Sequence, residues 1–390
     1  MSGEPTLPAV GANRFDRHEW AGAFGDLGTL IPFVIAYLAL LDLDPAGVLL
    51  AFGLASIVCG FVYRTPFPVQ PMKAIGAVAT TQAAQTYVVT AGAVHAAGWA
   101  TGAIWLVLGL TGTARRIASL VSRPVVKGII VGLGVGFVLS GAKMMAGSPW
   151  IGLAALAGTL LLFGQRRVPV MFVLLVFGAL AGWLTDPTVA DRLAGVRPEF
   201  RWPLLSLPEI RADEWMVGLV FLALPQLPLT LGNAIIAVAE ENNRLFPDRP
   251  VTRERVAVST GLLNLGGAAL GGVPMCHGAG GMAGHVRFGA RTGGAPIILG
   301  AVLVAVALFF SASVGALLAL FPPPVLGVIL LLAGAELAWG ARSIGATTGE
   351  RVAALVTAAC AVWNVGVAFL AGSAVVAVVR WRERERARRS

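Results

Sequence analysis

The chain has 390 residues, of which 57% are apolar and only 13% charged. A water-soluble chain carries about a quarter charged residues, so water is not the solvent for most of this surface. The net charge of +9 does not mark a nucleic-acid binder, because the basic residues stand singly or in pairs between apolar runs, as topology signals do. Cys59, Cys276 and Cys360 lie far apart within apolar segments, which supports neither a disulfide framework nor a metal cluster; no metal and no cofactor is expected.

In chain order, residues 1–18 form a polar, Pro- and Gly-rich tail without a signal peptide's apolar core. Apolar length and Gly, Pro and charge punctuation divide the rest of the chain into about fourteen membrane segments, some too short to cross fully. Segments 1–7 occupy residues 19–185, an extracytoplasmic loop spans 186–214, segments 8–14 occupy 215–380, and a basic tail closes the chain at 381–390. Arg14, Arg17, Arg64, Arg115, Arg116, Arg166, Arg167, Arg244, Arg255, Arg287, Arg291, Arg342, Arg351 and the tail then share one side, which the positive-inside rule makes cytoplasmic. Both termini are expected there, in the cell (inner or plasma) membrane. Val352–Val379 is long for one span and short for two, and the break at Trp363-Asn364-Val365-Gly366 favours a hairpin.

Two stretches recur at a spacing of about 200 residues, the signature of an internal repeat. Pro68-Val69-Gln70-Pro71-Met72-Lys73 parallels Gly272-Val273-Pro274-Met275-Cys276, and Pro124–Ile130 parallels Pro324–Leu330. With an odd number of segments per half, the halves must be inverted relative to each other, as in secondary transporters that bind substrate near the bilayer midplane. The predicted fold class is therefore an all-α polytopic membrane protein, a seven-plus-seven transmembrane inverted repeat with two broken half-helices.

Those half-helices are segments 3 and 10. Pro66-Phe67-Pro68-Val69-Gln70-Pro71 predicts an extended entry, because Pro fixes φ and biases its predecessor toward extended geometry, followed by a helix over Met72–Thr81. Gly271-Gly272-Val273-Pro274 predicts the same before a helix over Met275–Gly284. Each half-helix would start inside the membrane with its first N–H groups unpaired, and two facing N-termini make an anion site without side-chain charge. Lys73 and His277 fall in the expected first turns, and no acid occurs in segment 3 or in 274–287. Snorkelling of Lys73 and an ordinary packed His277 are the competing readings. Gly278 and Ala279, in the run Gly278-Ala279-Gly280-Gly281, let an anion approach backbone closely or simply pack helices.

Segments 1 and 8 supply the remaining walls. Asp26 and Thr29 lie in Gly25-Asp26-Leu27-Gly28-Thr29; an intramembrane acid is a functional candidate by default, to be partnered by Lys73 or a coupling proton, with a structural cap as the alternative. Gln226, Thr230 and Asn233 offer neutral donors, or polar glue between helices. Gln70, Met72, Met275 and Cys276 complete the candidate substrate-binding set, and Glu336 joins Asp26 as a coupling or gating candidate. Lys143 reads as another buried charge. No G-x-x-x-x-G-K-[ST] phosphate loop occurs, and no nucleophile–base constellation suggests an enzyme.

At Gly22–Pro32, Pro68–Ala77, Leu224–Val238 and Pro274–Ala290 the chain resembles the molybdate transporter family, relatives of the sulfate permeases and more distantly of the uracil permeases. The resemblance implies a mobile core of segments 1–4 and 8–11 sliding, elevator fashion, past a gate domain of segments 5–7 and 12–14. It implies molybdate as cargo, with sulfate on the same fold as the alternative; a proton as coupling ion and a homodimeric assembly are compatible with it. A nucleobase permease would place carboxylates on segments 8 and 10, whereas the first acids after Asn233 are Glu240 and Glu241. An anion channel on the same fold would need an open path, which residues alone do not reveal. The chain ends about ten residues after its last span, too few for the cytoplasmic regulatory domain of typical sulfate permeases.

Overall fold

The computed structural model describes residues 12–80, 88–113, 122–162, 170–202, 209–318, 320–340 and 347–389. Thr81, the expected last residue of segment 3, and the topology markers Arg115, Arg116, Arg166, Arg167 and Arg342 lie outside the described residues. Among the described residues the chain is helical almost throughout, and its one strand pair is two residues long on each side. In lipid every backbone polar group has to be satisfied internally, which leaves helices as the default for so apolar a chain.

The first segment is broken near its start. Helix α1 (Arg17–Ala23) passes through a 3₁₀ turn at Phe24–Asp26 into α2 (Leu27–Leu41). Helix α3 (Pro45–Tyr63) comes next, its start fixed by Asp44, whose carboxylate accepts the Ala46 N–H, with Pro45 at the first helical position. An extended stretch leads through β1 (Gln70–Pro71) into the short α4 (Lys73–Thr80), and α5 (Ala91–Thr111) completes this group. Beyond it lie α6 (Arg123–Met145), α7 (Pro149–Leu162), α8 (Val170–Thr185) and the short α9 (Thr188–Ala194).

The second half opens with α10, continuous over Ala212–Leu245. Its 34 residues make it about 50 Å long, more than a hydrocarbon core needs. Pro225 and Pro228 each lack an N–H, and the helix accommodates them between two π-wound stretches, Val217–Ala223 and Thr230–Ala237. The chain continues through α11 (Arg253–Ala269), β2 (Met275–Cys276), α12 (Ala279–Arg287), α13 (Gly294–Phe310), α14 (Val314–Leu318) and α15 (Pro323–Gly340). The expected break at Asn364 is present: α16 (Thr348–Trp363) and α17 (Val365–Arg389) are separate helices that pack on each other, and α17 carries the basic tail as helix.

Helices pair across the chain. α3 lies along α13, α5 along α11, and α6 along both α15 and α16. Glycines make these crossings close. A Cβ on Gly53 would stand 2.8 Å from the Gly300 carbonyl oxygen, and one on Gly300 would stand 2.5 Å from that of Gly53. Gly134 and Gly334 are related in the same way, at 2.6 and 2.5 Å. Because lipid tails are as apolar as leucine, helices in a bilayer associate by such packing rather than by a hydrophobic drive, which accounts for glycine at these crossings.

The two ends of the bundle differ in charge. At one end Arg249 donates to the Arg64 carbonyl, Arg255 to that of Val62, and Asn13 to that of Gly60, gathering the N-terminal segment with residues 62–64 and 249–255. Glu19, fully buried, accepts N–H groups from Arg291, Thr292 and Ala295 and so caps α13. At the other end Arg201 pairs with Asp44 at 3.5 Å, and the Glu199 and Arg201 amides donate to the Phe309 and Leu308 carbonyls at the end of α13, satisfying two groups that a helix terminus otherwise leaves bare. Lys143, expected as a buried charge, is instead exposed in the last turn of α6.

Gly134→Val is expected to force α6 off α15, because its added bulk meets backbone rather than a movable side chain. A loss of about 1–3 kcal/mol is the usual cost of overpacking. Thermal unfolding of the detergent-solubilised variant measures it; an unchanged midpoint would show that the crossing is not close.

Candidate anion-binding site

Segments 3 and 10 meet. Gln70 lies opposite Cys276 and Pro71 opposite Met275 in an antiparallel pair, and the Met72 N–H donates to the Pro274 carbonyl at 2.9 Å. Antiparallel strands that each lead into a helix send α4 and α12 away in opposite directions, so both amino ends abut the strand pair. The prolines explain the arrangement: Pro71 and Pro274 cannot donate to a helix, so the chain stays extended until the two breaks can serve each other. Asn264 of α11 locks the second one, with its Oδ1 accepting the Met275 N–H at 2.8 Å and its Nδ2 donating to the Met275 carbonyl at 2.6 Å.

The onset of the second half-helix differs from expectation. Helix begins at Ala279, not Met275, because Met275 and Cys276 are held as strand and Gly278 is extended. His277 therefore precedes the helix. Its Nδ1 donates to the Pro68 carbonyl at 2.9 Å, which fixes the tautomer and leaves Nε2 to accept from the Ser259 hydroxyl at 2.9 Å. The rings of Phe67 and Tyr63 pack edge-on against it. Nδ1 thus ties the two breaks together and Nε2 ties the second to α11, the packed-histidine reading rather than the ligand one.

The first amides of α4 are not bare either. Gln226 Oε1 accepts from Ala74 N at 2.8 Å and from Ile75 N at 3.3 Å, while its Nε2 donates to Thr230 Oγ1 at 2.9 Å. A side chain from α10 thus caps a half-helix in the same way that an N-cap residue would. Lys73 opens α4 as expected; it is half-buried, and among the described residues its ammonium makes no hydrogen bond or ion pair. The Cys276 thiol lies within the electrostatic reach of both Lys73 and Asp26.

Asp26, 4% exposed, accepts a hydrogen bond from Gln70 Nε2 at 2.5 Å. This pair lies on the first turn of α12: a Cβ on Gly281 would meet Asp26 Oδ2 at 2.6 Å and Gln70 Nε2 at 2.5 Å, and one on Gly278 would overlap Gln70 Oε1. Glycine is required there because the chain's own polar groups occupy the space. Asp26 thereby places a carboxylate at the amino end of α12, where the helix dipole favours it. Met72, just after β1, and Met275 in β2 are fully buried, whereas Ala279 and Asn233 are half-buried and Gly232 and Gly280 are exposed, marking the open side of this region. Thr29 lies in α2 and Glu336 in α15, with their side chains outside the described residues.

The structure thus brings together Asp26, Gln70, Met72, Lys73, Gln226, Thr230, Met275, Cys276, His277, Gly278 and Ala279 through direct contacts or adjacency. Sequence reasoning passed over Asn264 and Ser259. Ser259, Thr260 and Asn264, polar residues beyond the charged first turn of α11, were the available signal.

The sequence model of a family described as "Molybdate transporter of MFS superfamily" matches residues 18–137 and 218–337. The chain belongs to the molybdate transporter family. It is 31% identical to Molybdate transporter 1 of Arabidopsis thaliana, over 95% of this chain and 89% of that protein, and 32% identical to Molybdate transporter 2 of the same plant, over 84% and 79%. Molybdate transporter 1 of Chlamydomonas reinhardtii is 31% identical over 93% and 91%. Among solved structures, the transmembrane domain of the cyanobacterial bicarbonate transporter BicA superposes with a TM-score of 0.65 at 16% identity, covering 91% of this chain and 97% of that one. The murine Slc26a9 anion transporter in its inward-facing state gives 0.66 at 14% identity, covering 97% and 70%. This molybdate transporter family member is therefore an integral membrane protein of the sulfate permease fold; its relatives are named as transporters, not enzymes.

Gln226→Leu is expected to leave the Ala74 and Ile75 amides buried without an acceptor, costing about 1–3 kcal/mol and lowering thermal stability. Gln226→Glu keeps the acceptor and should recover most of it. If both variants melt like the parent, the side chain does not cap α4.

Proposed function

We propose that this protein is a secondary transporter of a tetrahedral oxyanion, with molybdate the preferred cargo, held beside the strand pair where α4 and α12 begin. The observation that carries this reading is the convergence of two broken segments at an antiparallel pair, with the Lys73 ammonium unpaired among the described residues on the half-buried side. Molybdate as cargo is supported by relatives named for it that match nearly end to end. Capping by Gln226 and occupation of the α12 turn by Asp26 and Gln70 make the site asymmetric, with Lys73 supplying the charge and the outermost amides of α12 and Asn233 supplying neutral donors. Asp26 is the proton-coupling candidate, since a second negative charge brought close to it favours its protonated form.

An inverted repeat and elevator motion fit the packing. Two family matches of equal length begin at 18 and 218, consistent with a repeat, and the pairings α3 with α13 and α5 with α11 exchange corresponding helices between the halves. The same pairings tie segments 1–4 to 8–11, while α6 with α15 and α16 ties the gate segments to one another, which is what two sliding bodies require. The end gathering Arg64, Arg249 and Arg255 would face the cytoplasm, with both termini on that side.

Direct binding to purified protein, with molybdate, tungstate and sulfate in competition, tests the cargo. Saturable binding with molybdate strongest is expected, and no saturable oxyanion binding would end the proposal. Lys73→Ala should weaken binding at least tenfold, the equivalent of a charge-assisted contact of about 1.5–3 kcal/mol. Asp26→Asn is expected to flatten the pH profile of uptake into proteoliposomes more than it changes binding; an unaltered profile would remove Asp26 as the proton site. Large ohmic currents in place of saturating uptake would indicate a channel.

A further inference from the structure

Tyr37 lies on α2, three turns beyond Asp26. It is fully buried, and its phenolic hydroxyl has no hydrogen-bond partner among the described residues. A buried, unmade hydroxyl bond is costly, so such a group usually awaits a partner. Its position is specific. A Cβ built on Gly76 would stand 3.3 Å from Tyr37 Oη and would collide with the Phe33 ring, so the glycine leaves the room that these two α2 side chains fill.

Gly76 and Lys73 are three residues apart on α4 and therefore share a face. A helical Cβ tilts toward the amino end, so the hydroxyl near that position overlies the turn that Lys73 opens. Tyr37 and Lys73 also lie within electrostatic reach of the same thiol, Cys276. Of the donors expected from sequence, the Gln226 amide is committed to Thr230, and the His277 ring to Pro68 and Ser259. Molybdate and sulfate dianions offer only acceptors. A phenol, unperturbed pKa about 10, is a donor throughout the neutral range.

We infer that Tyr37 is a ligand of the transported oxyanion, donating its hydroxyl beside the Lys73 ammonium. This rests on the oxyanion reading above. It also explains why a bulky aromatic is packed against glycine at the start of a half-helix: the ring positions a neutral donor that adds no further charge.

The test combines one substitution with one spectroscopic probe. The chain has three tyrosines, Tyr37, Tyr63 and Tyr87, so biosynthetic 3-fluorotyrosine gives three fluorine environments. Titrating the labelled wild type with molybdate should shift one resonance in step with binding, and that resonance should be missing from Tyr37→Phe. The unlabelled Tyr37→Phe variant should bind molybdate about tenfold more weakly, with an unchanged melting temperature. A structural role for the hydroxyl would not move the resonance on titration. If Lys73→Ala loses binding while Tyr37→Phe keeps wild-type affinity and the Tyr37 resonance stays fixed, Tyr37 is no ligand and the oxyanion reading stands. If wild-type protein shows no saturable molybdate binding, both fall together.

Discussion

The fold depends on one requirement: backbone that leaves the helix at membrane depth has to find partners within the protein. Segments 3 and 10 break at Pro71 and Pro274, and each break meets the need of the other. Gln70-Pro71 pairs with Cys276-Met275, Met72 donates to Pro274, and Asn264 takes both backbone groups of Met275. An unsatisfied polar group in hydrocarbon costs several kcal/mol, so neither break is tolerable alone. Pairing brings the amino ends of α4 and α12 to one place. The site is a consequence of how the breaks are made safe.

The same economy governs the polar side chains. Gln226 and His277 read as ligand candidates in the linear sequence, and both, like Asn264 and Ser259, are committed to holding backbone or one another. Among the described residues, the Lys73 ammonium makes no hydrogen bond or ion pair, and the buried Tyr37 and Tyr63 hydroxyls and Gln70 Oε1 have no hydrogen-bond partner. A rigid frame of satisfied polar groups surrounding a few unsatisfied ones is the arrangement that preorganises a site. The Asp26–Gln70 pair adds a further constraint. Its carboxylate already occupies the space beside the first turn of α12 that a side chain on Gly281 would need.

Glycine sets how closely the supporting helices approach. At Gly53 with Gly300 and Gly134 with Gly334, each residue lacks a side chain because the other's carbonyl occupies that space. Elsewhere side chains meet: the Phe33 ring of α2 packs at a tilt against the Phe137 ring of α6, with centroids 5.3 Å apart.

The sequence by itself determined that the chain lives in a bilayer, where its helices break and which half-turns would carry Lys73, since these come from apolar length and from proline's missing N–H, both local properties. The hairpin at Asn364 was legible for the same reason. Only the tertiary structure decided how donors and acceptors are shared. That His277 points to Pro68 and not to an anion, that Gln226 caps α4, that helix α12 waits until Ala279, and that Asp26 accepts from Gln70 all depend on residues from 44 to 209 positions away. A hydrogen bond between distant segments leaves no periodicity in the chain, so the same Gln, His or Asn reads as ligand or as strut until its partner is in view.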